Sequence, residues 1–186
     1  MMRLLTIFTL AMGIFMTDQT GGADAQQNGS NDGPDLENTL YMDLEFGRVV
    51  ISMRPDVAPK HVARIKELVR EGFYDGLKFH RVIPGFMAQG GDPLGNGTGG
   101  SGTNIPAEFN NVPHLRGTLS MARATDPDSA DSQFFICFTR CAALDYEYTV
   151  WGRVAAGMEF VDQIAVGEPP RQPSSIVKIQ VAADVK

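Results

Sequence analysis

The sequence predicts a mainly β domain: a closed eight-stranded antiparallel barrel capped by two α-helices. Three observations lead there. About eight short stretches show the alternation or the β-branched and aromatic enrichment of strands, while only about two carry a helical stripe. The strands are not separated by regular crossover helices, which argues against a doubly wound parallel sheet. The chain has 186 residues, 43% of them hydrophobic, with 20 Gly and 11 Pro, enough for one sizeable core and many reversals. Closing the sheet on itself would remove its edges.

Taken in order, residues 39–55 (TLYMDLEFGRVVISMRP) alternate twice. Leu40, Met42 and Leu44 face one way, and Val49, Ile51 and Met53 repeat the pattern after a turn near Gly47. That is a β-hairpin with one buried face. Asp56 then opens a helix with Pro59 in its first turn; Val62, Ile65, Leu68 and Val69 form the apolar stripe and Gly72 stops it. Short β-type runs follow at 78–82, 86–89, 117–121, 133–138 and 148–154. A second helix reads from Gly157 to Ala165, with Met158, Val161 and Ile164 on one face, and SIVKIQVAA (175–183) is the last strand.

The N-terminus differs in kind. Residues 1–25 open with the basic MMR and continue in an apolar run, Leu4 to Met16, too short for the ~20 residues that span a bilayer. ADA at 23–25 is a small-x-small cleavage pattern, so the segment reads as a secretory signal peptide; the rival reading is an uncleaved membrane anchor. Residues 26–37 (QQNGSNDGPDLE) are polar and turn-rich and read as a disordered tether, leaving 38–186 as the folded domain. The expected location is periplasmic or secreted, with no stable membrane insertion after processing, and the alternative is attachment to the membrane through the uncleaved N-terminus. The protein is expected to act as a monomer.

A net charge of −6 and a pI of about 5.0 make non-specific nucleic-acid binding a poor expectation, since that needs clustered Lys and Arg. Export permits a disulfide between Cys137 and Cys141. Cys137, however, sits in FFICF, which reads as a buried strand, and an extended chain of that length holds the Cα atoms about 13 Å apart, beyond disulfide reach. A turn after Phe138 would shorten the gap; the favoured reading is two free thiols with Cys137 in the core.

Several apparent motifs carry no chemistry. GNGTGG (95–100) matches G-x-G-x-x-G, but SGTNIPAEF follows it, with Pro106 inside and no helical stripe, so it reads as a flexible surface loop and not a dinucleotide site. The histidines His61, His80 and His114 lack metal-ligand spacing with one another or with the cysteines, so no metal and no cofactor are expected. His61 reads as lying on the polar side of a helix and His80 as a hydrogen-bonded core residue. No G-x-S-x-G elbow occurs, and Asp126 and Asp128 in TDPDSADS read as a solvated loop.

What remains is FHRVIPGFMAQGGD (79–92), where core-type residues are interleaved with Arg81, Gln89 and Asp92. In an extended run Phe79, Arg81 and Ile83 share a face. An Arg always carries charge and five donors, so here it is forced onto a partly apolar wall and must find water or an acceptor. Phe86, Met87, Phe135 and Leu144 are candidates for a pocket beside it.

FHRVIPGFMAQGGD, GTGG, LSMA, SQFFI and LD…YTVWGRV, in that order, resemble the cyclophilin-type peptidyl-prolyl cis-trans isomerases over residues 39–183. The compact segment EGFYDGLK is similar to bacterial members. The resemblance implies the barrel-and-two-helix fold and an enzyme acting on proline-containing polypeptides. It implies Arg81 as the catalytic cation and Phe86, Met87, Phe135 and Leu144 as the proline pocket. Gln89 and Gln133 would hydrogen-bond the substrate backbone, Ala122 and Arg123 would offer main-chain contacts, and Tyr148, where many members have His, would close the pocket edge. Arg123 replaces the common Asn, and Ala143 stands where many eukaryotic members carry Trp, which puts cyclosporin affinity in doubt. The function expected is isomerisation of X-Pro bonds in exported proteins. The alternatives are a proline-peptide-binding chaperone module that uses the same groove without important turnover, and a scaffold with a vestigial site.

Overall fold

The computed structural model describes residues 35–186; the expected leader, 1–25, and residues 26–34 of the expected tether lie outside the described residues. Residues 35–37 belong to the folded domain. Leu36–Asn38 form a 3-10 turn capped by the Asp35 carboxylate, and Glu37 ion-pairs with Lys66 (3.0 Å) and Arg70 (3.0 Å).

The strands are β1 (Thr39–Leu44), β2 (Gly47–Met53), β3 (Arg81–Ile83), β4 (Met87–Gly90), β5 (Thr118–Met121), β6 (Phe134–Cys137), β7 (Val150–Ala156) and β8 (Ile176–Val181). All pairings are antiparallel, in the order β3-β4-β6-β5-β7-β2-β1-β8. The hairpin β1–β2 forms as its alternation demands: Leu40, Met42, Leu44, Val49, Ile51 and Met53 are all buried.

The sheet curls into an open half-barrel, which corrects the expectation of a closed one. Its end strands, β3 and β8, do not pair. β3 has three residues, and Val82 at its centre exchanges both backbone bonds with Gly167 (2.8 and 2.9 Å) instead of with β8. Across the seam the chain makes an isolated bridge, Lys78 to Ser175, and Phe79 N donates to Ser174 O (3.0 Å). The loop that occupies the β3 edge therefore takes the place of strand closure.

Two helices pack their apolar sides into the interior, where they join Leu40, Ile51, Phe134, Ile136 and Trp151 in one cluster. Helix α1 (Pro59–Arg70) starts later than Asp56, because the Asp56 carboxylate is taken by Arg54 (2.6 Å) and Pro59 occupies the first helical position. Its stripe is the expected one with His61 added. His61 is buried, not on a polar face: its Nδ1 lies 2.7 Å from Glu108 Oε2, and burial outweighs that carboxylate and lowers its pKa. Helix α2 is a single turn, Met158–Val161, entered by Gly157 at φ 84°; it is shorter than expected because the bonds after Val161 tighten to i→i−3 spacing (Gln163 N to Phe160 O, Ile164 N to Val161 O) and Ala165 N donates to Ser174 Oγ (3.0 Å), and only Val161 and Ile164 sink into the core.

Candidate active site

Period-2 alternation gives the same strands a second apolar face. Ala88, Phe134, Ile136 and Leu119 point into the interior, while Met87, Phe135, Cys137 and Cys141 form a separate outer cluster. Ile83, Phe86, Ala122, Leu144 and Tyr148 pack on that cluster from its rim. The register aligns side chains across the sheet, with Arg81 opposite Gln89, Gln89 opposite Phe135, and Phe135 opposite Ser120. Arg81 thus lands two strands from Phe135 on the same outer face.

Phe79 does not share that wall. The strand begins at Arg81, so alternation does not reach back through His80, and Phe79 is in the interior cluster. His80 is buried, but neither ring nitrogen has a hydrogen-bond partner among the described residues, contrary to the sequence expectation. Burial holds its pKa below the usual histidine range.

Arg81, Phe86, Met87, Gln89, Ala122, Arg123, Phe135, Leu144 and Tyr148 line one cavity of about 260 Å³. Every site residue expected from the sequence is therefore gathered here except Gln133, which stands one hydrogen bond away: Gln89 Nε2 donates to Gln133 Oε1 (3.0 Å). Gln133 Nε2 donates to the carbonyls of Gly97 (3.1 Å) and Gly99 (2.8 Å), so its amide is committed to the neighbouring loop. Arg81 Nε donates to Glu168 Oε2 (2.7 Å) and Nη1 to Gln89 Oε1 (3.5 Å), while Nη2 has no partner among the described residues.

Each wall has its own support. Phe135 meets Tyr148 edge-on at 5.6 Å. The Arg123 guanidinium lies 4.9 Å over the Tyr148 ring and is pinned by the carbonyls of Glu147 (3.1 Å), Ala124 (3.0 Å) and Thr125 (3.2 Å). Beneath Phe135, the His114 ring stacks at 6.0 Å and 16°. Its Nδ1 is 3.1 Å from Asp145 and its Nε2 is 3.0 Å from Ser120 Oγ. This Asp–His–Ser alignment is no nucleophile: Ser120 is wholly buried and its Oγ donates to Thr149 O (2.8 Å). Both cysteines are free thiols under the pocket floor, and burial, reinforced by Cys141, pushes the Cys137 thiol far up. Ala143 is exposed and outside the cavity lining.

The GNGTGG loop is not free. Asp92, wholly buried, accepts the N–H groups of Leu94 (2.8 Å), Asn96 (3.0 Å) and Gly97 (2.5 Å). Burial opposes the Asp92 charge, yet these amides together hold its carboxyl below the usual range. A Cβ at Gly99 would collide with that carboxylate, so the loop closes only with glycine there. Gly97 to Gly100, with Asn104, Asp131 and Gln133, border a second cavity of about 290 Å³ that shares Gln89, Ala122 and Arg123 with the first. Sequence reasoning missed this loop as a site wall although GTGG is one of the segments that carry the family resemblance, and it missed Glu168, which no short motif marks. Among the described residues no cluster of three or more His, Cys, Asp or Glu is placed to hold a metal ion, and no helix is long and apolar enough to cross a membrane.

The chain carrying this cavity and its eight-stranded half-barrel resembles known proteins in sequence and in fold. The family model described as "Cyclophilin type peptidyl-prolyl cis-trans isomerase/CLD" matches residues 39–183. The chain belongs to the cyclophilin family. A probable peptidyl-prolyl cis-trans isomerase of Brucella suis is 49% identical over 169 residues, covering 82% of this chain and 86% of the relative. Peptidyl-prolyl cis-trans isomerase B of Bacillus subtilis is 46% identical over 133 residues, 70% of this chain and 92% of the relative. Among solved structures, a cyclophilin from Hirschia baltica superposes with a TM-score of 0.76 at 30% identity, over 82% of this chain and 76% of that one. A Cryptosporidium parvum cyclophilin crystallised in the presence of the dipeptide Ala-Pro gives 0.72 at 28% identity, over 77% and 98%. As a cyclophilin, the chain is a peptidyl-prolyl cis-trans isomerase.

Proposed function

We propose that this cyclophilin accelerates rotation about X-Pro bonds by aiming the Arg81 guanidinium at the prolyl nitrogen while the ring sits in the apolar cavity. The carrying observation is the placement of Arg81 on the rim of the cavity lined by Phe86, Met87, Phe135 and Leu144, with Nη2 left without a partner among the described residues. Amide resonance makes rotation cost about 18–20 kcal/mol. In the twisted state that resonance is lost and the nitrogen lone pair becomes an acceptor. A donor aimed at it stabilises the twisted state more than either planar form, which is catalysis by differential binding. The apolar wall excludes water and strengthens the bond. Moving from tens of seconds to milliseconds requires about 10⁴-fold, or about 5.4 kcal/mol. A charge-assisted hydrogen bond together with positioning and desolvation is of that size. Gln89 holds the substrate backbone, with Ala122 and Arg123 contributing main-chain groups. Gln133 acts mainly by fixing Gln89 and the glycine loop, and Tyr148 closes the edge.

The clients are exported polypeptides, and the enzyme works in the periplasm or outside the cell as a monomer. The basic start, apolar run and ADA pattern of residues 1–25 support the export. Mass spectrometry of the exported protein should find Gln26 at its N-terminus, and intact Met1 in a membrane fraction would favour the anchor. The function itself is tested with a protease-coupled assay on a short X-Pro peptide. Catalytic amounts of enzyme should abolish the slow phase, with or without EDTA. Saturable peptide binding with no rate enhancement would establish the binding-module alternative.

A further inference from the structure

We propose that Glu168 is a positioning residue for Arg81: its carboxylate holds the guanidinium at Nε so that the Nη edge faces the prolyl nitrogen. This inference rests on the Arg81 mechanism above. The two residues are 87 positions apart in sequence, yet Arg81 Nε donates to Glu168 Oε2 at 2.7 Å. The contact is braced beside both residues. Val82, next to Arg81, and Gly167, next to Glu168, exchange backbone bonds of 2.8 and 2.9 Å. Gly167 sits at φ 149°, where a Cβ would strike Pro170, so the segment presents Glu168 from a fixed backbone.

The carboxylate also heads a polar chain along the site. Glu168 accepts from Arg81, Arg81 Nη1 donates to Gln89, Gln89 to Gln133, and Gln133 to Gly97 and Gly99. Arg81 and Gln89 line the apolar cavity, Gln133 and the two glycines border the neighbouring one, and Arg81 is where the chain meets the apolar wall. A side chain as long as arginine has many rotamers; a bond at Nε fixes the plane of the guanidinium and leaves its far edge to a ligand. Stability is not the reason for the contact. With side chains 41% and 50% exposed, the ion pair lies in solvent, where such pairs contribute almost nothing to folding. Its consequence is orientation, and misplacing a catalytic group by about 1 Å costs up to about 10²-fold in rate.

The test measures kcat and KM separately, by NMR exchange on an X-Pro peptide, for wild type, Glu168→Ala, Glu168→Gln, Arg81→Ala and the double variant Arg81→Ala/Glu168→Ala. We expect Glu168→Ala to lower kcat by about tenfold, within the range for a displaced catalytic group, with KM nearly unchanged and an unfolding midpoint within about 3 °C of wild type. Glu168→Gln keeps an acceptor for Nε and should recover most of the loss. Adding Glu168→Ala to Arg81→Ala should change nothing further, because Glu168 acts only through Arg81. The Arg81 Nε–H resonance should exchange slowly with water in wild type and fast in Glu168→Ala. Wild-type kcat in Glu168→Ala beside a slow Arg81→Ala overturns the positioning role and leaves the arginine mechanism standing. An equal loss from Glu168→Ala with or without Arg81 shows a merely structural effect and also overturns it. Wild-type turnover by Arg81→Ala overturns the mechanism and this inference together.

Discussion

The two faces of strands β4 and β6 carry side chains of the same kind and meet opposite ends. On the inner face, Ala88, Phe134 and Ile136 are sealed by β1, β2, β7 and the stripe of α1. On the outer face, Met87, Phe135 and Cys137 are as fully buried as individual residues, but what covers them is a thin rim of Phe86, Leu144 and Tyr148 around an open cavity. The inner face is almost wholly apolar. The outer face is fenced by Arg81, Gln89 and Gln133, which bond to one another and to the Glu168 and Gly97–Gly99 segments. The difference teaches that hydrophobicity does not separate a core from a site. Whether the apolar patch is capped by another element, and whether its polar fence keeps spare donors, does.

That contrast can be broken at its strongest point first. Phe134→Ala opens a hole in the sealed face, where Phe134 meets Trp151 edge-on at 5.9 Å and Tyr74 at 5.7 Å. It should cost about 3–5 kcal/mol in urea unfolding. A loss under about 1 kcal/mol would mean the inner face is no tighter than the outer one. Next, Arg81→Ala should lower kcat/KM by at least about 100-fold, near 2.7 kcal/mol, while the urea midpoint stays put, because the residue serves the open face only.

A smaller effect sharpens what the open face lacks. Ala143 is exposed beside Leu144, where the family resemblance places an indole in many eukaryotic members. Ala143→Trp should tighten cyclosporin inhibition by about tenfold, roughly 1.4 kcal/mol of newly covered apolar area, with peptide turnover little changed. Equal inhibition constants for the two proteins would show that this position does not border the ligand.

The smallest expected effect separates the faces by pH. His61 and His80 are buried, and burial lowers both pKa values, so the unfolded chain binds more protons than the folded one once pH falls through the ordinary histidine range. The stability they contribute is present above about pH 6.5 and should decline as the pH falls toward 5. The proposed mechanism transfers no proton, so turnover should stay flat between about pH 6.5 and 8. A bell-shaped kcat profile in that window would contradict the mechanism, and urea midpoints that hold steady down to pH 5 would contradict the histidine account.

Much of this was legible in the sequence, for a local reason. The hairpin, the α1 stripe and the strand count follow from periods of 2 and 3.6, which each segment carries within itself. The cavity lining was legible because five ordered segments resemble one family, and the residues read from them, Ala143 apart, gather within one cavity and its neighbouring amide. Features that needed partners distant in sequence were not legible. The open seam was decided by Gly167 occupying the β3 edge, and the short α2 by Ser174 taking the Ala165 N–H where the helix would have continued. His61 read as polar because its partner, Glu108, comes from a loop 47 residues away. The glycine loop read as flexible because its anchors, Asp92 and Gln133, are identifiable only after folding. Sequence by itself determined which residues are apolar, where the chain alternates and which cation stands among them, because these are properties of neighbours along the chain. Only the tertiary structure decided which apolar face is capped and which stays open, and which carboxylate aims the arginine, because those are properties of residues that meet only when the sheet curls.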